Sequence, residues 1–195
     1  MEKGRSGFRN PLEGGKMDYF WIQRDKRYSN LPRIRQFIIR YRASDFTVEG
    51  AHRIKDRNVV FVDSEMSLDY ADVIDGQVFL ISEGVKNVFQ MYDPSISYKT
   101  FCLLNNVCMD LKMYYAPIMP ISDGTDFSSD FNKKRDRRTL PALKQEYLKR
   151  PIMRIRELAP DGVIIRLDVA ESLLRRGLYK MNMTRMVIES SVGEG

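Results

Sequence analysis

The sequence predicts an α+β protein: mostly antiparallel β-sheet with about three short helices, built around two strand–helix–strand units. Three observations carry that expectation. Residues 162–188 read as an apolar strand, a capped helix, a glycine stop and a second strand. Residues 78–105 repeat the pattern more loosely, from an apolar run through a capped helix to an alternating strand. The rest consists mainly of short apolar or alternating runs of strand length separated by polar turns.

A chain of 195 residues fits one domain, expected here over residues 17–189. Residues 1–16 contain four glycines, one proline and few apolar groups, so they read as a flexible tail, and Met17 reads as the functional start. Residues 190–195 read as a frayed end. No run of 18 or more apolar residues occurs, and the tail has basic residues but no apolar core of a signal sequence. A cytoplasmic protein is therefore expected, with Cys102 and Cys108 as reduced, buried thiols.

In chain order, Asp18 to Ile22 is aromatic and β-branched, hence a first strand. Residues 33–42 alternate imperfectly and are expected as another. Residues 45–57 are polar and turn-like, and residues 58–63 are a short apolar strand. Residues 66–74 show no clear period and are left unassigned.

The first unit runs from a strand at 77–81 into a helix capped by Ser82. The Ser82 hydroxyl can accept from a first-turn N–H, and Glu83 suits the positive helix end. Val85, Val88, Phe89 and Tyr92 make the apolar stripe, and Asp93-Pro94 ends it. The return strand alternates through Ile96, Tyr98, Thr100, Cys102 and Leu104. Pro117 and Pro120 place the aromatic stretch at 113–120 at a sheet edge.

Residues 121–132 form an acidic surface loop and 133–138 a basic run. Residues 140–149 are expected as a short helix with Pro141 in its first turn, followed by a strand at 151–155. In the second unit Asp168 and Glu171 are spaced as a capping box. Val169, Leu173 and Leu174 form the apolar face, Arg175 and Arg176 suit the last turn, and Gly177 is the left-handed stop. Residues 181–188 alternate as the closing strand.

The net charge of +6 is unevenly placed: residues 17–42 carry +5, residues 43–132 carry −8 and residues 133–156 carry +8. Such a distribution suits an electrostatic partner surface as well as nucleic acid. No phosphate-binding loop, dinucleotide fingerprint or nucleophile elbow is present. His52 is the single histidine and lies in a polar loop, so neither a nucleophile–histidine pair nor a zinc set is expected. Asp123, Asp126 and Asp130 lack the glycine and terminal glutamate of a calcium loop and read as turn carboxylates. Asp72 and Asp75 are three residues apart, but acid–base work requires a cleft that shifts one of them. No catalytic residue, cofactor or metal is expected. The basic and aromatic residues of 24–42, with Trp21, and those of 133–156 could contact phosphates and stack on bases.

The segments Leu80-Ile81-Ser82-Glu83-Gly84-Val85-Lys86 and 166–178, the opening Tyr19-Phe20-Trp21, the stretch 114–120 and Ile152-Met153-Arg154-Ile155 resemble a family of bacterial immunity proteins from polymorphic-toxin systems. The likeness spans residues 17–189. Asp93-Pro94 replaces the family's Pro-Gly-like turn, and the strand after Gly177 is more polar than the family's. The resemblance implies a non-catalytic protein that binds and neutralises a cognate toxin. The variable loop and the basic run after it, represented by Asp123, Asp126, Asp130, Lys133, Lys134, Arg135, Arg137 and Arg138, are the expected partner-binding residues. The alternative is a nucleic-acid-binding module using segments 24–42 and 133–156.

Overall fold

Two five-stranded sheets organise the computed structural model, which describes residues 17–62, 68–124, 140–158 and 162–189. In chain order the first strands are β1 (Tyr19–Gln23), β2 (Arg57–Phe61), β3 (Val73–Ile74) and β4 (Leu80–Ile81). Then come β5 (Ser97–Asn105), β6 (Asp110–Ile118), β7 (Ile121–Ser122) and β8 (Leu143–Lys144). The last are β9 (Ile152–Ile155), β10 (Val163–Arg166), β11 (Asn182–Arg185) and β12 (Ile188–Glu189). The helices are α1 (Phe37–Arg40), α2 (Glu83–Tyr92) and α3 (Leu167–Arg175). The fold class is α+β, as the sequence predicts.

One sheet has the order β11-β1-β10-β9-β7, the other β2-β5-β6-β4-β3, and β12 pairs with β8. Most pairings are antiparallel; β2–β5, β7–β9 and β8–β12 are parallel. In neither expected unit do the strands before and after the helix bond to each other. β6 stands between β4 and β5, and β1 between β10 and β11.

Strand alternation produces three cores. Ile22, Val163, Ile165 and Ile152 on one face of the first sheet meet Val85, Val88 and Phe89 of α2 and Val169 and Leu173 of α3. The opposite face of that sheet buries Tyr19, Ile164, Met153 and Ile155 against Leu143 and Ile188. Phe101, Leu103, Tyr114 and Ala116 of the second sheet are covered by Ile34, Phe37, Phe46 and Ile54. The Phe46 and Phe101 rings stack at 6.0 Å, and Tyr41 meets Phe101 edge-on at 5.5 Å.

The helix caps show where local sequence prevailed. Ser82 accepts from the Val85 N–H at 3.5 Å, and Asp93 closes α2. At the end of α3, Gly177 takes φ +74°. The Gly177 and Leu178 N–H groups then reach the Leu174 and Leu173 carbonyls at 3.0 and 3.1 Å, a paired C-cap.

Several expectations are corrected. Residues 33–42 are not a strand. Ile34 makes one bridge to Val62, Gln36 turns left-handed at φ 53°, and Phe37–Arg40 coils into a helical turn. Burying Phe37 beside Phe46 outweighs the alternation. β6 is not an edge strand, because β5 and β4 flank it. Its proline is accommodated because β4 contributes a rung only at Ile81↔Tyr115, leaving Pro117 paired on the β5 side alone. Residues 140–149 form β8 and a 3-10 turn (Gln145–Tyr147) instead of a helix, since Leu143 is drawn into the third core beside Ile188. Helix α3 begins at Leu167, with Arg166 as its N-cap, so Asp168 is no capping-box partner. Its carboxylate instead takes a bidentate contact from Arg166 at 2.9 and 2.7 Å, while Glu171 pairs with Arg175 at 3.0 Å. Ile121 and Ser122 form strand β7 at the start of the expected loop. Cys102 is half-buried, and Cys108 is exposed rather than buried.

Candidate protein-interaction face

β2, β5 and β6 are apolar on both faces, and among the described residues only one face is fully covered. In β2, Asn58 and Val60 point into the second-sheet core, while Arg57, Val59 and Phe61 point out. The register aligns Val59 with Cys102 and Cys102 with Met113; one step along, Phe61, Leu104 and Leu111 align. Adjacent strands lie about 4.8 Å apart, so these six side chains form a grid of two rungs across three strands. Val59 is 61% exposed, Leu111 53%, Met113 42% and Phe61 40%. At the β5–β6 turn, the buried Asn105 carboxamide accepts the Val107 and Cys108 N–H groups at 2.9 and 3.3 Å. Met109 turns left-handed at φ 50°, and Val107 and Met109 face solvent.

Helix α2 closes the other end of this face. The Lys86 ammonium lies 4.4 Å from the Tyr115 ring centre and 5.8 Å from that of Tyr98. Both tyrosines pack against the first core. Burial raises the Tyr98 hydroxyl well above its ordinary value, with the Asp93 carboxylate adding to the effect. Arg57, opposite Thr100 in the register, is the single charged residue at an outward position of β2, β5 and β6 beyond α2. No described residue forms an ion pair or hydrogen bond with its side chain. Burial raises the Tyr115 hydroxyl, and the Glu83 carboxylate of α2 adds to the effect.

The residues expected to bind a partner are distributed differently. Asp123 forms an exposed ion pair with Arg156 at 2.7 Å, a contact of small energetic weight. The Glu157 carboxylate beside it accepts the Gly124 N–H at 3.0 Å. Asp126, Asp130, Lys133, Lys134, Arg135, Arg137 and Arg138 lie outside the described residues.

The described cations of the two basic segments are largely engaged within the protein. Arg24 pairs with Asp75 at 3.3 Å, Arg27 with Asp25 at 2.6 Å and Arg150 with Asp93 at 3.2 Å. The side-chain hydrogen bond from Arg27 holds the Asp25 carboxyl below its usual range. Arg154 is buried and donates to the Phe46 carbonyl at 2.9 Å. Trp21 packs against the third core and Tyr41 against the second, so neither offers an open ring beside these cations.

The carboxylates and histidine considered for chemistry have structural partners. Asp72 accepts the Ser82 hydroxyl at 3.0 Å and the Lys180 N–H at 2.9 Å. Asp75 accepts the Arg24 N–H at 2.9 Å. His52 is exposed, with Nδ1 2.8 Å from the Glu49 carbonyl. Among the described residues no group of three or more His, Cys, Asp or Glu is placed to hold a metal ion. A cleft of about 390 Å³ opens between Arg24, Arg33 and Gln77 over Ile74 and Leu80. Its Gln77 carboxamide is occupied by both backbone groups of Ile34, at 2.8 and 3.2 Å.

The outward apolar grid was not foreseen from the sequence. Its signal was present: alternation in β5 and β6 leaves apolar residues on both faces of each strand, a pattern that demands two coverings. No family profile and no curated protein matches this chain.

Proposed function

We propose that this is a non-catalytic bacterial protein that binds a cognate toxin and neutralises it. The observation that carries the reading is the apolar grid of Val59, Phe61, Leu104, Leu111 and Met113 on the second sheet, over which no described element lies. A contiguous apolar face left in water stabilises nothing until a partner covers it, and such faces mark protein interfaces. The resemblance to immunity proteins supplies the kind of partner. The nucleic-acid alternative draws less support, because Arg24, Arg27, Arg150 and Arg156 are already paired and Trp21 and Tyr41 are packed.

Expression of each open reading frame flanking this chain's gene, with and without the chain, tests the reading. One of those products is expected to arrest growth alone and to be tolerated with the chain present. If no flanking product is toxic and relieved in this way, the reading fails.

A further inference from the structure

Resting on the toxin-binding reading, we infer that the outward face of β2, β5 and β6 is the docking surface, and that it takes an apolar protein surface bearing a carboxylate opposite Arg57. The location follows from the two halves of one sheet face. Helix α2 covers the end at Tyr98 and Tyr115, where Lys86 lies over both rings. Beyond Thr100 the face continues with Cys102, Leu104, Leu111 and Met113, joined from β2 by Val59 and Phe61, and no described element lies over them.

The chemistry of the occupant follows from charge. Arg57 stands at the border of the grid with its side chain held by no described residue, whereas Arg24, Arg27, Arg150 and Arg156 each have a carboxylate. A guanidinium at the rim of an apolar patch binds a carboxylate bidentately, and arginine is among the residues that dominate interface energies. A second copy is a poor occupant. The outward positions of these three strands hold no Asp or Glu, so two such faces brought together would bury apolar area but leave both Arg57 groups without a partner. Nucleic acid is poorer still, since one cation amid six apolar side chains offers few phosphate contacts.

The test uses the full chain and the toxin encoded beside its gene. Binding is measured for wild type, Val59→Glu, Met113→Lys, Arg57→Glu and the distant control Leu174→Glu, on the exposed side of α3. Folding of each variant is checked by its denaturant midpoint. The expected result is that the three face variants each weaken binding roughly 30-fold or more, the loss of one dominant contact, while Leu174→Glu binds as wild type. Neutralisation and affinity unchanged in all three face variants would overturn the assignment and leave the toxin-binding reading standing. A wild-type chain that neutralises no neighbouring toxin overturns both. A wild-type dimer that Val59→Glu converts to monomer identifies a second copy as the occupant and overturns the partner proposed here. Val59-dependent sedimentation with phosphatidylcholine–phosphatidylglycerol vesicles, without toxin binding, does the same in favour of a lipid surface.

Discussion

The Tyr92 hydroxyl donates to the Asp168 carbonyl at 3.0 Å, fastening the last residue of α2 to the first turn of α3 across 76 positions of chain. The two helices share one core with both sheets, and this bond adds a polar tie between them over that core. Tyr92→Phe keeps the ring packing and removes only the hydroxyl. It is expected to lower stability by about 1 kcal/mol, the net worth of one such bond. A shift of the denaturant midpoint at unchanged slope checks it; an unchanged midpoint removes the bond from the account.

Gly177 holds φ +74° at the end of α3, where a Cβ would meet no atom within 4 Å. The cost of a side chain there is therefore backbone strain and not a clash. Gly177→Ala is expected to destabilise by roughly 1–2 kcal/mol, the price of the left-handed region for an L-residue. Thermal unfolding of the variant measures it, and a stabilised variant would contradict the cap.

Stability is expected to fall at both ends of the pH scale. The Arg166 guanidinium hydrogen-bonded to Asp168 holds its carboxyl below the ordinary 3.8. The unfolded chain therefore takes up this proton first in acid, and the contribution is present above about pH 4 and lost as pH falls through the depressed folded value. In Asp168→Asn that loss should disappear from the acid limb of stability against pH. Burial pushes the Tyr114 hydroxyl well above its ordinary 10.0, and it donates to the Ala71 carbonyl at 2.7 Å. Its contribution is present below pH 10 and lost above it, because the unfolded chain ionises first. Tyrosinate absorbance should show Tyr114 ionising late, and Tyr114→Phe should flatten part of the alkaline limb.

The outward grid makes a separate prediction about folding. Met113 and Val59 face solvent, so Met113→Lys and Val59→Thr should each change stability by no more than about 0.5 kcal/mol. Solubility should rise in both. A loss of several kcal/mol in either, read from denaturant unfolding, would mean that these side chains belong to the core.

Elements governed by neighbours in sequence were legible. The Ser82 cap, the Val85–Val88–Phe89 stripe, the Asp93-Pro94 stop and the Gly177 turn depend on groups within one helical turn, and the structure forms each of them. Misreadings fell where a distant core competed. Phe37 leaves an alternating pattern to pack against Phe46, and Leu143 leaves a proline-led helix pattern to join Ile188. Asp168 had the spacing of a cap, yet the guanidinium two residues earlier captured its carboxylate. Of the residues the sequence offered for partner binding, Asp123 is in an ion pair, and the face on β2, β5 and β6 was passed over because its strands looked like ordinary core.

By itself the sequence determined the α+β class, the helices α2 and α3 with their stops, and the Ser82 cap, since these are settled within a few residues of chain. Tertiary structure decided which strands became neighbours, placing β6 between β4 and β5 and β1 between β10 and β11. It also decided which apolar face no described element covers. An alternating strand specifies that it has two faces, but burial of each depends on what arrives from elsewhere in the chain. Residues 34–54 arrived on one side of the second sheet; on the other, α2 reached only as far as Tyr98 and Tyr115.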